Sequence, residues 1–193
     1  MSALTNPQPL RHAAPSPQRG FTIIELTVVI AIMGVVATLA APSFKSVVER
    51  WRVRNTTEAM VNTLYYARSE AIKRGGRIGI EKIPKTTPGC TQASTNQEWG
   101  CGWFVFQDDN SDGKWQSSET KLQTYTPPAN IDVIHQSGGT DIKVDRYGMM
   151  SGLNAKGFVI SPAPDGISSP ATRGICMSSG GRVKVIEDVP CKK

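Results

Sequence analysis

An α+β fold, one long N-terminal helix packed on an antiparallel β-sheet domain, is what this 193-residue sequence predicts. Two patterns and the placement of the cysteines predict it. Apolar residues run almost unbroken from Phe21 to Ala41 and then recur at helical spacing as far as Ile72. Beyond Gly75-Gly76 the pattern changes to short alternating or apolar runs separated by Gly, Pro, Asn and Asp, the signature of strands and turns. All four cysteines lie in that second part.

Residues 1–20 are rich in Pro, Ala and Gln with basic punctuation and read as a leader. Residues 21–41 form an apolar helix whose sole ionisable side chain is Glu25. About 20 apolar residues suffice to cross a bilayer core, so this segment is expected to span one. A carboxylate within such a span is costly and needs a partner or a cavity. Small residues at Ala31, Gly34, Ala37 and Ala40 suit close packing against neighbouring helices. Pro42 removes one backbone donor and is expected to kink or locally melt the helix. Residues 42–74 continue as an amphipathic second half. Phe44, Val47, Val48, Trp51, Val53, Thr57, Met60, Leu64, Ala67, Ala71 and Ile72 mark the face expected to lie on a globular core.

Residues 75–193 form the β-rich globular domain. Strands are expected near 77–82, 102–107, 121–126, 131–135, 141–145, 157–160, 173–177 and 182–186, with an exposed loop from Ser161 to Thr172. Four cysteines allow three pairings. The sequence-local one, Cys90–Cys101 with Cys176–Cys191, is favoured, each bridge contributing about 2–4 kcal/mol. Disulfides place this domain in an oxidising compartment. No C-x-x-C pair or adjacent His supports a zinc site instead. Removing the leader takes Arg11 and Arg19 and no acid, leaving 20 basic and 16 acidic residues. That net charge of +4 permits an anionic partner without requiring one.

The order of a basic leader, Gly20-Phe21-x-x-x-Glu25 and an apolar helix resembles the start of a type IV prepilin or pseudopilin. An ordinary secretory signal has a shorter apolar core, an A-x-A-like cleavage site and no embedded Glu. The resemblance implies cleavage after Gly20 and N-methylation of Phe21 by the prepilin peptidase/methylase. It also implies that Glu25 neutralises the amino terminus of a neighbouring subunit as pilins assemble through this helix. Later motifs narrow the family. Ala67-Arg68-Ser69-Glu70-Ala71-Ile72, the turn Asp108-x-Asn110-x-Asp112-Gly113 and Asp145-x-x-Gly148 together resemble the GspH/FimT family of minor pilins and pseudopilins.

That family divides between FimT-like minor pilins of type IV pili, some resembling receptors for DNA uptake in natural transformation, and tip pseudopilins of type II secretion. Both imply a single-pass bacterial inner-membrane protein with a periplasmic C-terminal domain, later assembled into an extracellular pilus or a periplasmic pseudopilus. In the DNA-binding branch a C-terminal G-R-x-R motif is associated with binding. Gly181-Arg182-Val183-Lys184 matches it with Lys184 at the second Arg position. In a strand, Arg182 and Lys184 would lie on one side about 7 Å apart, close to the phosphate spacing of one DNA strand. Arg173, Lys192 and Lys193 are expected to extend the patch. Double-stranded DNA bound non-specifically through its backbone is therefore the expected partner, with a secretion pseudopilin lacking DNA affinity as the alternative.

Asp108, Asn110, Asp112 and Glu119 also fit the D-x-[DN]-x-[DN]-G-x5-E calcium-loop pattern. The segment before them reads as a strand, where an EF-hand has a helix. Asp, Asn and Gly are equally what a tight turn wants, so a turn without metal is the preferred reading. No cofactor and no enzymatic activity are expected. His12 falls in the leader, His135 stands alone, and Ser161, Ser168 and Ser169 have no adjacent base. The glycine pairs Gly138-Gly139 and Gly180-Gly181 lack the strand–loop–helix setting of a phosphate cradle.

Overall fold

The computed structural model describes residues 20–136, 138–151, 157–178 and 181–191. Two compact units meet after Pro42. Helix α1 (Ile23–Arg74) begins in the first and ends in the second. Thr22 caps its start: Oγ1 accepts from the Glu25 amide at 3.2 Å and the Thr22 carbonyl accepts from Leu26 at 3.2 Å. The backbone remains helical through Pro42. A proline ring deletes one donor from the ladder there. At the far end the Gly76 amide donates back to Ala71 at 2.7 Å, closing the last turn. Arg74, with Lys73, holds the Glu70 carboxyl below its ordinary range.

In the first unit every large apolar side chain from Phe21 to Leu39 is exposed. The hydroxyls of Thr27 and Thr38 bond back to the carbonyls of Ile24 and Val35, which hides their polarity. Among the described residues no single helix is long and apolar enough to cross a membrane. Ile23–Leu39 spans about 26 Å at 1.5 Å per residue, against a hydrocarbon core of about 30 Å.

The second unit holds eight strands: β1 (Ile78–Lys82), β2 (Trp103–Gln107), β3 (Lys121–Tyr125), β4 (Ile131–His135), β5 (Asp141–Val144), β6 (Gly157–Pro162), β7 (Arg173–Met177) and β8 (Val183–Ile186). They form two antiparallel four-stranded sheets, in the orders β3-β2-β1-β5 and β4-β6-β7-β8. One core joins both sheets to α1, with Val53, Met60, Leu64, Ala67 and Ala71 from the helix and Ile80, Trp103, Ile142, Phe158 and Ile175 from the strands. The Trp103 indole donates to Thr63 Oγ1 at 3.0 Å, so its buried N–H is satisfied. Disulfides join Cys90 to Cys101 and Cys176 to Cys191.

Three sequence expectations need correction here. Phe44, Val47, Val48 and Trp51 are exposed, and the packed face of α1 starts only at Val53. Ile72 is likewise exposed, because the helix end turns it away from Ala71 and the core. Ser161 belongs to β6, and Ala171 and Thr172 are buried; only the middle of that loop, around the 3-10 turn Gly166–Ser168, is open.

His135 is fully buried, stacked on Phe158 at 4.8 Å and edge-on to Trp99 at 5.4 Å. Its Nδ1 sits 3.1 Å from the Gly139 carbonyl. Burial pushes its pKa below the ordinary 6.5, outweighing the Gly139 contact and Asp141. The unfolded chain therefore binds a proton first, and stability falls as pH drops below about 6.5, by at most about 1.4 kcal/mol per pH unit. Glu81 and Asp132, pushed up by burial, act in the opposite sense at lower pH. Denaturant melts from pH 7 to 5 should show this decline in the wild type, and His135→Phe should flatten it.

Candidate nucleic-acid interface

The residues expected to direct processing and assembly sit at the start of the first unit. Gly20 and Phe21 are exposed, and Glu25 lies exposed in the first turn of α1.

The basic motif lies on the β7–β8 hairpin. The Ser178 amide donates to the Arg182 carbonyl at 3.0 Å and the Gly181 amide to the Ser178 carbonyl at 2.8 Å, closing the connection. Cys176 pairs with Lys184 and Gly174 with Ile186, whereas Ile175 pairs with Val185 and Met177 with Val183. Directly paired residues share a face. Val183 packs against the core, so Arg182 and Lys184 fall on the outer face beside the Cys176–Cys191 disulfide. Both are exposed, and neither side chain makes an ion pair or hydrogen bond among the described residues. β8 is the outermost strand of its sheet.

Arg173 does not extend this patch. It shares the parity of Ile175 and so points to the opposite, helix-facing side of the sheet. There it pairs with Glu187 at 3.1 Å and donates to the carbonyls of Pro170 and Thr172. With Arg50, Arg54, Thr57, Val61 and Val185 it lines a separate groove along α1. Lys192, Lys193 and Gly180 lie outside the described residues, as does the leader up to Arg19.

One arginine that composition and spacing did not single out organises the region. Arg68 Nη1 donates to the Gly181 carbonyl at 3.1 Å, one residue before Arg182. The same side chain lies across Gly148: a Cβ there would sit 2.5 Å from Arg68 Cγ, and one on Gly181 2.5 Å from Nη1. Both glycines also hold a left-handed φ, 73° and 79°, which strains any side chain placed there. The Gly148 turn is tied by Asp145, whose Oδ1 accepts from the amides of Tyr147 at 2.8 Å and Met149 at 2.9 Å. Three motifs distant in the chain thus meet around one guanidinium. Only their shared membership of a family pattern hinted at this; no local spacing could.

The Asp108–Glu119 loop is built as a turn. Asp108 is buried, and its two oxygens accept from the amides of Asp112 at 3.0 Å and Gly113 at 2.9 Å. Glu119 accepts from the amides of Asp109 and Gln116, both at 2.9 Å. Asp112 accepts from the Lys114 amide and from the Asn110 and Gln116 side-chain amides, which with the Lys114 amide foremost lower its pKa. The oxygens point at N–H groups of the loop itself, and among the described residues no cluster of three acidic, His or Cys groups is arranged to hold a metal. The loop instead folds Trp115 edge-on to Phe104 at 5.7 Å, with Lys121 over both rings.

Comparison with known proteins follows this geometry. Residues 56–181 match the family model described as type II transport protein GspH, and residues 15–41 match the prokaryotic N-terminal methylation motif. A fimbrial protein of Pseudomonas aeruginosa is 35% identical over 144 residues, covering 75% of this chain and 77% of that protein. A crystal structure of the type IV minor pilin FimU from the same species aligns with a TM-score of 0.50 at 19% identity, covering 71% of this chain and 90% of that one, a likeness of fold.

Proposed function

Because the chain belongs to the GspH family of minor pilins and pseudopilins, subunits of type IV pili or of type II secretion, we propose that it is a FimT-like minor pilin that binds DNA non-specifically through its β8 edge. Prepilin peptidase/methylase removes the leader after Gly20 and methylates Phe21. The chain then rests in the inner membrane through residues 21–41, with the disulfide-bonded unit in the periplasm, until it joins a fibre. The exposed apolar side chains from Phe21 to Leu39 support this, since they are stable only in lipid or against other helices. In the fibre, Glu25 neutralises the amino terminus of a neighbour. The fimbrial relative at 35% identity supports the pilus branch.

DNA binding rests chiefly on one observation: Arg182 and Lys184 stand exposed and unpaired at alternate positions on the outer face of an edge strand. Both cations can neutralise phosphates, although lysine lacks the fork that gives arginine bidentate contacts. Binding should be weak per subunit, indifferent to sequence and strongly dependent on salt. The test is the affinity of the full chain, purified in detergent, for duplex DNA at low and moderate salt, beside Arg182→Ala/Lys184→Ala. A loss of at least about tenfold is expected in the double variant, as about two phosphate contacts disappear. No binding by the wild type at low salt, or equal binding by the variant, would sink the proposal. The second reading is a structural tip pseudopilin of type II secretion, which the description of the matching family model favours.

A further inference from the structure

Beside the β8 motif the structure presents a second element that the backbone-contact reading does not use. Tyr147 is 69% exposed at the apex of the 145–149 turn, an uncommon setting for a large aromatic ring that packs on no core. The Arg146 guanidinium lies 5.7 Å from its ring centroid and makes no ion pair among the described residues. Neither side chain is needed to make the turn, which the Asp145 carboxylate and the Gly148 amide bonded to the Asp145 carbonyl close. The turn is also fixed in space. Arg68 presses on Gly148 and holds the Gly181 carbonyl, so this turn and the one leading to Arg182 are one arginine side chain apart. The turn that bears Tyr147 and Arg146 and the turn that leads to exposed Arg182 are thereby braced by the same Arg68 side chain. Asp145, in the same turn, has an oxygen turned inward to amides.

We infer that Tyr147 is a stacking platform for an unpaired base and Arg146 its accompanying phosphate contact, so that this face prefers single-stranded DNA to duplex. The inference rests on the DNA-binding reading and adds the class of DNA to it. In duplex DNA the flat faces of the bases are buried in the stack, and an exposed ring has nothing to meet. In a single strand every base offers a π-face, and an aromatic ring flanked by cations is a general means of holding one without sequence preference. Arg146, with its guanidinium 5.7 Å from the Tyr147 ring centroid, is within cation–π range and places a positive charge beside the ring.

The test uses the full chain in detergent, with fluorescence anisotropy of a labelled oligothymidylate and of a labelled duplex of equal length. The wild type should bind the single strand more tightly. Tyr147→Ala should weaken the single-strand complex by about 5- to 100-fold while leaving duplex affinity within about twofold. Tyr147→Phe, which keeps the ring, should retain wild-type preference, and Arg182→Ala/Lys184→Ala should weaken both complexes. Equal losses on both probes, or no loss with Tyr147→Ala, would overturn the stacking role. If the double variant loses both probes while Tyr147→Ala changes neither, the β8 reading stands and this one falls. If the wild type binds neither probe, both fall.

Discussion

Asp108→Ala should lower the stability of the second unit by about 1–3 kcal/mol. The wild-type carboxylate is fully buried and accepts from the amides of Asp112 and Gly113. Truncation orphans the buried Gly113 amide, which costs about 1–3 kcal/mol, while the Asp112 amide keeps Asn110 Oδ1 as an acceptor at 3.1 Å. The loss also loosens the loop that places Trp115 on Phe104, so outer-face packing weakens with it. For a domain of this size the melting temperature should fall by about 3–10 °C. Asp108→Asn should lie between, because one oxygen remains an acceptor while its NH2 group faces the other donor. Thermal melts followed by circular dichroism, with calcium and with chelator, check both points. The melts should be the same in either condition. Stabilisation of the wild type by calcium that Asp108→Ala abolishes would restore the metal reading of Asp108, Asn110, Asp112 and Glu119.

Glu25→Ala should reduce incorporation into sheared fibres by at least about tenfold while leaving the melting of residues 43–193 unchanged. The core of that unit begins at Val53 and includes nothing from the apolar segment. Once the leader is removed, Phe21 carries a charged amino terminus four residues from Glu25. Packing such helices together takes that charge out of water, and an unpaired buried charge costs about 3–5 kcal/mol. A carboxylate contributed by a neighbour removes the penalty only when subunits are in register. Glu25→Asp should recover part of the loss, since the charge survives on a shorter arm. Immunoblots of sheared fibre and membrane fractions from cells carrying each variant read the outcome. Normal incorporation of Glu25→Ala would remove the assembly role assigned to this carboxylate.

Much of the fold could be read from the chain because its strands are short and clearly punctuated. β4 and β7 have the expected bounds, and the others differ by one or two residues at their ends. Arg77, for example, has a left-handed φ of 59°, which delays β1 to Ile78. Periodicity failed where it could not name the partner. Phe44, Val47, Val48 and Trp51 continue the apolar stripe of α1, yet a stripe records that a face is dry without saying what covers it. Arg173 was misplaced because strand parity depends on register, and register is set by pairing with β8 rather than by anything within β7. The Arg68 clamp was illegible for a related reason. Arg68, Gly148 and Gly181 lie far apart in sequence and meet only because α1, the β5 end and the β7–β8 hairpin pack on one core.

The salt dependence of duplex binding tests the proposed role of the β8 edge most directly, because it counts the phosphates a side chain neutralises. Plotted as log affinity against log salt, the full chain should give a negative slope. Arg182→Ala should make that slope shallower by about 0.9, and Arg182→Ala/Lys184→Ala by about 1.8. A double variant that binds more weakly but keeps the wild-type slope would contradict the account, since neither side chain would then be touching a phosphate.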